Sequence, residues 1–305
     1  MSNSELRRSR WTRRVLAVVA VTGVCAGLQV TLQGAASAAP NRVVSAGSST
    51  DSTARKSATA FCPAGTRVYG GGGDIVGGGH EVALTGLRPV STFVNGKFVD
   101  SFVATAEEDD TGYSGNWSVY AYAICGYAEP SMSIQQGQLA ASPGSDRQSA
   151  SASCPSGTAP IGLGAEITGG NGNVVLNTVL GNYTTNAYGL PTGSAWATGF
   201  VDESGFSGSW SITSYAVCAA PPPGLTYKFA DSALDSTDKS ASVECPIGTS
   251  VFGVGGYSDY RNGETHFDRM VPHGSNWTGA DVEIREDQDG FAYNWFGEVE
   301  AICGQ

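Results

Sequence analysis

Beyond residue 40 the chain alternates apolar and polar positions with a period of two. WSVYAYAIC (117–125) and WSITSYAVC (210–218) show it most clearly, rich in β-branched and aromatic side chains. EVALTGL (81–87), SFVATAEE (101–108), NVVLNTVL (173–180) and AWATGFV (195–201) read the same way. No segment after the first forty residues sustains a helical period. The pattern predicts an all-β protein, with turns wherever Gly, Pro, Ser and Asn cluster.

The alternation recurs in a fixed frame. Cys62-Pro63-Ala64-Gly65-Thr66, Cys154-Pro155-Ser156-Gly157-Thr158 and Cys245-Pro246-Ile247-Gly248-Thr249 begin 92 and 91 residues apart. Seven residues after each first cysteine stands Tyr69, Ile161 or Phe252. Glycines follow at plus eight and plus ten: Gly70 and Gly72, Gly162 and Gly164, Gly253 and Gly255. Trp117, Trp210 and Trp295 each precede a second cysteine by eight residues: Cys125, Cys218 and Cys303. An aromatic residue, Tyr113, Phe206 or Phe291, lies four positions before each tryptophan, with glycine in front of it. This is a three-fold internal repeat. About five strands are expected per unit.

The frame pairs the cysteines within repeats, as Cys62–Cys125, Cys154–Cys218 and Cys245–Cys303. Each bridge closes a loop of about 60 residues, worth roughly 4 kcal/mol in the chain-entropy model. The expected organisation is repeat 1 over 39–127, repeat 2 over 149–218 and repeat 3 over 240–305. Segments 128–148 and 219–239 read as linkers or edge strands, with Pro221 to Pro223 as a short stiff stretch. Two arrangements fit: three β-sandwich beads, or three sheets closed about a pseudo-three-fold axis as a β-prism. Confinement of each disulfide to one repeat favours beads. The plus-eight and plus-ten glycines share one strand face and leave room for a bulky neighbour, for which the repeat's tryptophan is the natural candidate.

Residues 1–38 form a segment of a different kind. Arg7, Arg8, Arg10, Arg13 and Arg14 precede the apolar VLAVVAVTGVCAGLQV, and Ala36-Ser37-Ala38 ends it in a small-x-small pattern. This is the layout of a secretory signal peptide, with Arg13-Arg14 a hint of twin-arginine export. Val24 before Cys25 argues against lipid attachment. The whole chain has 17 Lys+Arg and 28 Asp+Glu; the first 38 residues hold five and one, leaving 12 and 27, a net charge of −15. Such an acidic chain disfavours nucleic acid and anionic lipid as partners, and no membrane insertion is expected after cleavage. Six cysteines in an exported chain read as disulfides, and the expected location is extracellular.

Catalytic signatures are absent from the sequence. No Gly-x-Ser-x-Gly occurs, and His80, His266 and His273 do not recur between repeats. Asp109, Asp202 and Asp287 do recur, each three residues before the repeated glycine. With Asp289 they are candidate oxygen ligands for calcium, set against the plainer reading of acidic turns. No other cofactor is expected. Repeat 3 departs furthest from the frame. Tyr257, Tyr260, Arg261, His266, Asp268, Arg269, His273 and Trp277 crowd into 21 residues. Aromatic faces with Arg and Asp beside them suit recognition of a flat ligand. If 264–268 is a strand, Glu264, His266 and Asp268 share a face and, with His273, could hold a divalent metal.

CPAGTRVYGGGGDIVGGG followed by WSVYAYAIC resembles a repeat of secreted Streptomyces and other actinobacterial proteins. Those read Cys-Pro-Ala-Gly-Lys, a glycine triplet, then Trp and Ala-Tyr-Ala-Ile/Val-Cys. The resemblance covers all three units, closest in the first. It implies an extracellular, disulfide-bonded protein and transfers no catalytic residue. The three-repeat β-prism of vitelline-membrane outer-layer proteins is a more distant similarity, differing in repeat length and cysteine arrangement. The resulting expectation is a secreted, non-catalytic protein that binds polysaccharide or the cell envelope. The alternatives are a structural cell-surface or spore-coat component, an extracellular protease inhibitor, and last a hydrolase in repeat 3.

Overall fold

The alternating segments all become strands. The computed structural model describes residues 42–139, 142–259 and 263–305, and no helix occurs among the described residues. Repeat 1 contributes β1 (Arg42–Gly47), β2 (Arg55–Phe61), β3 (Arg67–Val76), β4 (Val82–Val94), β5 (Lys97–Glu108) and β6 (Ser118–Gly126). Next come β7 (Ser133–Gln138), the two-residue β8 (Ser142–Pro143), β9 (Arg147–Ser153), β10 (Ala159–Thr168), β11 (Val174–Thr185), β12 (Pro191–Val201) and β13 (Ser209–Ala219). The last are β14 (Thr226–Asp231), β15 (Lys239–Glu244), β16 (Ser250–Ser258), β17 (Thr265–His273), β18 (Gly279–Glu286) and β19 (Gly297–Gly304).

Sheets and repeats do not coincide. The first sheet runs β1-β6-β3-β17-β18-β15, the second β2-β5-β4-β10-β13-β7, and the third β14-β19-β16-β11-β12-β9, with β8 added against β13. Each repeat therefore splits into two three-stranded halves, and every sheet joins half of one repeat to half of another. The joins are antiparallel: β17 with β3, β4 with β10, and β11 with β16. Repeat 1 meets repeat 3 and repeat 2, and those two meet each other, which closes the ring. The β-prism is the arrangement adopted. Separate beads are excluded, because no repeat holds a complete sheet of its own. Within the segments read as linkers or edge strands, β7 and β14 are outer strands, in the role that β1 has beside β6.

The glycine pattern follows from this closure, and the expected role of the tryptophan is corrected. A Cβ on Gly162 would lie 1.7 Å from the carbonyl oxygen of Tyr69, and one on Gly72 would lie 1.9 Å from that of Met270. The first contact is backbone against backbone between repeats, and the second is the β3–β17 join. These glycines let neighbouring repeats touch; the tryptophans lie elsewhere. Tyr69, Ile161 and Phe252 sit on bulges at the start of the glycine strands, and each is buried. The bulge aims these large side chains inward, and the Tyr69 and Phe252 rings meet at 4.8 Å between centroids.

All three expected disulfides form. Each starts just after an outer strand of one sheet and ends in a strand of another: β2 to β6, β9 to β13, β15 to β19. A bridge confined to one repeat in sequence thus ties two sheets in space, which is why the confinement misleads toward beads. Three disulfides mark a protein of an oxidising environment. Trp117, Trp210 and Trp295 are fully buried.

Candidate functional site

The repeat 3 cluster does not assemble into one surface. Tyr260 and Arg261 lie outside the described residues. Tyr257 belongs to the third sheet, whereas His266, Asp268, Arg269 and His273 belong to β17 of the first. Asp268 occupies a bulge and is buried against Arg285, with Oδ2 3.0 Å from Nε. Burial raises its carboxyl to about 6 despite that cation. Arg269 faces out between Asp74, Asp281 and Glu283. His273 is clasped by Glu244 and Asp281, each 2.7 Å from a ring nitrogen. Seven residues along a strand, about 20 Å, separate His273 from His266, so the metal set Glu264, His266, Asp268 and His273 is not formed. Trp277 lies half-buried in the β17–β18 loop with φ 56°.

Two places have the makings of a site. The first is a groove of about 360 Å³ on the outer face of the third sheet. Across the first sheet the join between repeats carries Asp74 opposite Arg269, and across the second Glu166 stands 3.7 Å from Arg88. At the matching join in the third sheet Tyr257 faces Thr178, so no ion pair fills the surface. Trp196, Thr198 and Phe200 alternate along β12 and line one wall, with Arg147 stacked 5.5 Å from the Phe200 ring. Glu298 stands opposite Tyr257 on the far side. Sequence reasoning found Tyr257 here but missed Trp196, Arg147 and Glu298. They sit in ordinary strand positions of β12, β9 and β19, and only the sheet register brings them together.

The second place is the end of the prism where loops from all three repeats converge. They enclose a cavity of about 20 Å³, lined among others by His80, Asp109, Asp202, Glu203, His266 and Asp287. The three equivalent aspartates do meet at one end, yet they differ. Asp109 Oδ1 accepts from Thr111 N, Thr111 Oγ1 and Gly112 N, an acidic turn with its acceptor filled. Asp202 accepts from Ser204 Oγ at 2.7 Å, and burial together with Glu203 and Asp110 pushes it up to about 6. Asp287 accepts from Gly290 N through Oδ1, while its buried Oδ2 has no donor. Burial, then Glu203 and Asp289, drives its carboxyl far above the usual range. One oxygen from each of Glu203, Asp287 and Asp289 lies within 4.8 Å of the others.

Below them His266 is buried, and its Nε2 has no hydrogen-bond partner. Burial, with His80 and Arg285 adding to it, keeps the ring neutral, down to about 3. His80 closes the rim, its Nδ1 2.8 Å from the Glu286 carbonyl oxygen. Sequence reasoning named Asp287, Asp289 and His266 but put them in different sites. Glu203 stood out in the sequence only as an acidic neighbour of Asp202, because its partners come from another repeat.

No protein-family model matches the chain, and no curated protein is significantly similar to it.

Proposed function

We propose that this is a secreted, non-catalytic binding protein whose groove on the third sheet takes a segment of extracellular or cell-envelope polysaccharide. The observation that carries the reading is the row Glu298, Tyr257, Thr178, Thr198 across four strands, with Trp196 and Arg147 beside it. Aromatic faces offer sugar rings an apolar platform. The carboxylate, guanidinium and hydroxyls around them bond to sugar hydroxyls. The groove lies on rigid strands, so little order is lost on binding.

The test is a binding panel of soluble polysaccharides and isolated cell-wall material. Saturable binding that free sugar competes away, weakened at least tenfold in Trp196→Ala and Tyr257→Ala, is the expected result. A blank panel, or binding indifferent to both changes, would sink it.

A second reading, a structural component of the cell surface, draws on the β4–β5 hairpin. Around its Asn95-Gly96 turn, Phe93 is 65% exposed and Phe98 48%, their rings 5.1 Å apart in an exposed apolar pair. Retention on washed cells, lost in Phe93→Ser/Phe98→Ser, would move the weight there.

A further inference from the structure

We propose that the loop end of the prism is a divalent-cation site, in which Glu203 of repeat 2 and Asp287 and Asp289 of repeat 3 supply carboxylates and His266, beneath them, faces the water the ion carries.

Spacing is the first argument. A cation with oxygen ligands at about 2.0–2.6 Å places those oxygens no more than roughly 5 Å apart. The three carboxylates already lie within 4.8 Å of one another. None of the three has an ion-pair partner among the described residues. Three carboxylates so close, without a counter-charge, cannot all ionise unless something positive joins them.

The second argument is independent of the acidic cluster. His266 is 4% exposed, and its Nε2 is buried with no hydrogen bond. Leaving a buried polar atom unpaired is costly. Asp287 Oδ2 is also buried without a donor, and both residues line the same cavity. That cavity, about 20 Å³, has room for one atom-sized guest. An acceptor oxygen and an imidazole nitrogen facing a void of that size both want a cation or a cation-bound water.

The third argument is asymmetry. The equivalent loop of repeat 1 has its Asp109 acceptor filled by Thr111 and Gly112. Where repeats 2 and 3 meet, the buried Asp287 Oδ2 stays without a donor. Carboxylates alone suit Ca²⁺. Mn²⁺ accepts the same oxygen set, whereas Zn²⁺ prefers nitrogen and sulfur ligands. The site is separate from the groove on the third sheet and does not depend on what the groove binds.

The experiment is titration of the chelator-treated protein with Mn²⁺, Zn²⁺ and Ca²⁺, read by calorimetry and by the shift in Tm. The expected result is one equivalent bound, a raised Tm, and Ca²⁺ or Mn²⁺ tighter than Zn²⁺. Asp289→Asn, an exposed change that relieves repulsion and so does not lower the cation-free Tm, should weaken binding at least tenfold, and Glu203→Gln likewise. Asp109→Asn should bind as the parent does. No saturable binding of any of the three ions up to about 1 mM, the weak end for protein calcium sites, would overturn the proposal. So would one-equivalent binding unaffected by both Asp289→Asn and Glu203→Gln.

Discussion

Lys56 places its ammonium 3.7 Å from the centre of the Trp117 ring, and Lys239 repeats the contact on Trp295 at 4.2 Å. Both lysines stand six residues before the first cysteine of their repeat, and both are buried. Lys56 also donates to the carbonyls of Asp51 and Thr53 at 2.7 and 3.0 Å. A desolvated cation over tryptophan is worth about 2 kcal/mol. Lys56→Met keeps most of the volume and removes the charge. It should lower stability by about that much, read as a shifted urea midpoint with unchanged slope. Arg55→Ala, beside it and exposed, should stay within about 0.5 kcal/mol. Equal effects would make the ring contact a bystander.

Gly162 and Gly157 separate two kinds of glycine. Gly157 has φ 87° with open space around it, so Gly157→Ala strains only the backbone and should cost about 1–2 kcal/mol. Gly162→Ala would drive a methyl group to 1.7 Å from the Tyr69 carbonyl, where only backbone can give way. It should cost more than about 3 kcal/mol or prevent folding. Thermal melts of the two variants decide it, and similar Tm values would contradict the close contact between repeats.

Glu300 makes the protein less stable in mild alkali. Its Oε2 accepts from Gly181 N at 2.8 Å, Oε1 has no partner, and burial pushes the carboxyl up to about 8 from 4.5. The folded state therefore binds a proton that the unfolded chain has lost. The resulting stability is fully present below pH 4.5 and disappears as pH rises through about 8. Glu300→Gln should flatten that part of the stability profile. A variant as pH-sensitive as the parent would show that Glu300 is not the group responsible.

A fragment of repeat 1 alone, residues 40–128, should not fold. It would carry half of the first sheet and half of the second, leaving β3 and β4 as open edges where β17 and β10 belong. Open apolar edges associate. Broad circular dichroism melts and aggregation are expected, whereas a sharp, concentration-independent transition would mean that one repeat suffices.

The repeat frame made the strands, the cysteine pairing and the glycine spacing readable, because each follows from local periodicity. The prism was only one of two options, since a sequence does not state which repeat completes which sheet. That depends on pairs such as Arg269 with Asp74, nearly 200 positions apart. The same distance hid the sites. Tyr257 and Trp196 meet through register, and Glu203 reaches Asp287 only because the loops of two repeats come to one end. Conversely, the crowding of His266, Asp268 and His273 along one strand looked like a site. It dissolved because one side chain turns to the loop-end cavity, one into a buried pair with Arg285, and one to a clasp at the far end of the strand.

The closed ring also makes the order of the repeats exchangeable. Gly126 is followed by residues 127–132 before β7, and Ala219 by residues 220–225 before β14, six residues in each case. The pseudo-three-fold puts the end of β19 and the start of β1 in that same relation. A spacer of about six residues should therefore join Gln305 to Arg42 without strain. New ends could then be opened between β6 and β7, or between β13 and β14. A circular permutant of either kind should keep the three sheets and the three bridges, since the ring offers three equivalent places for the chain to begin.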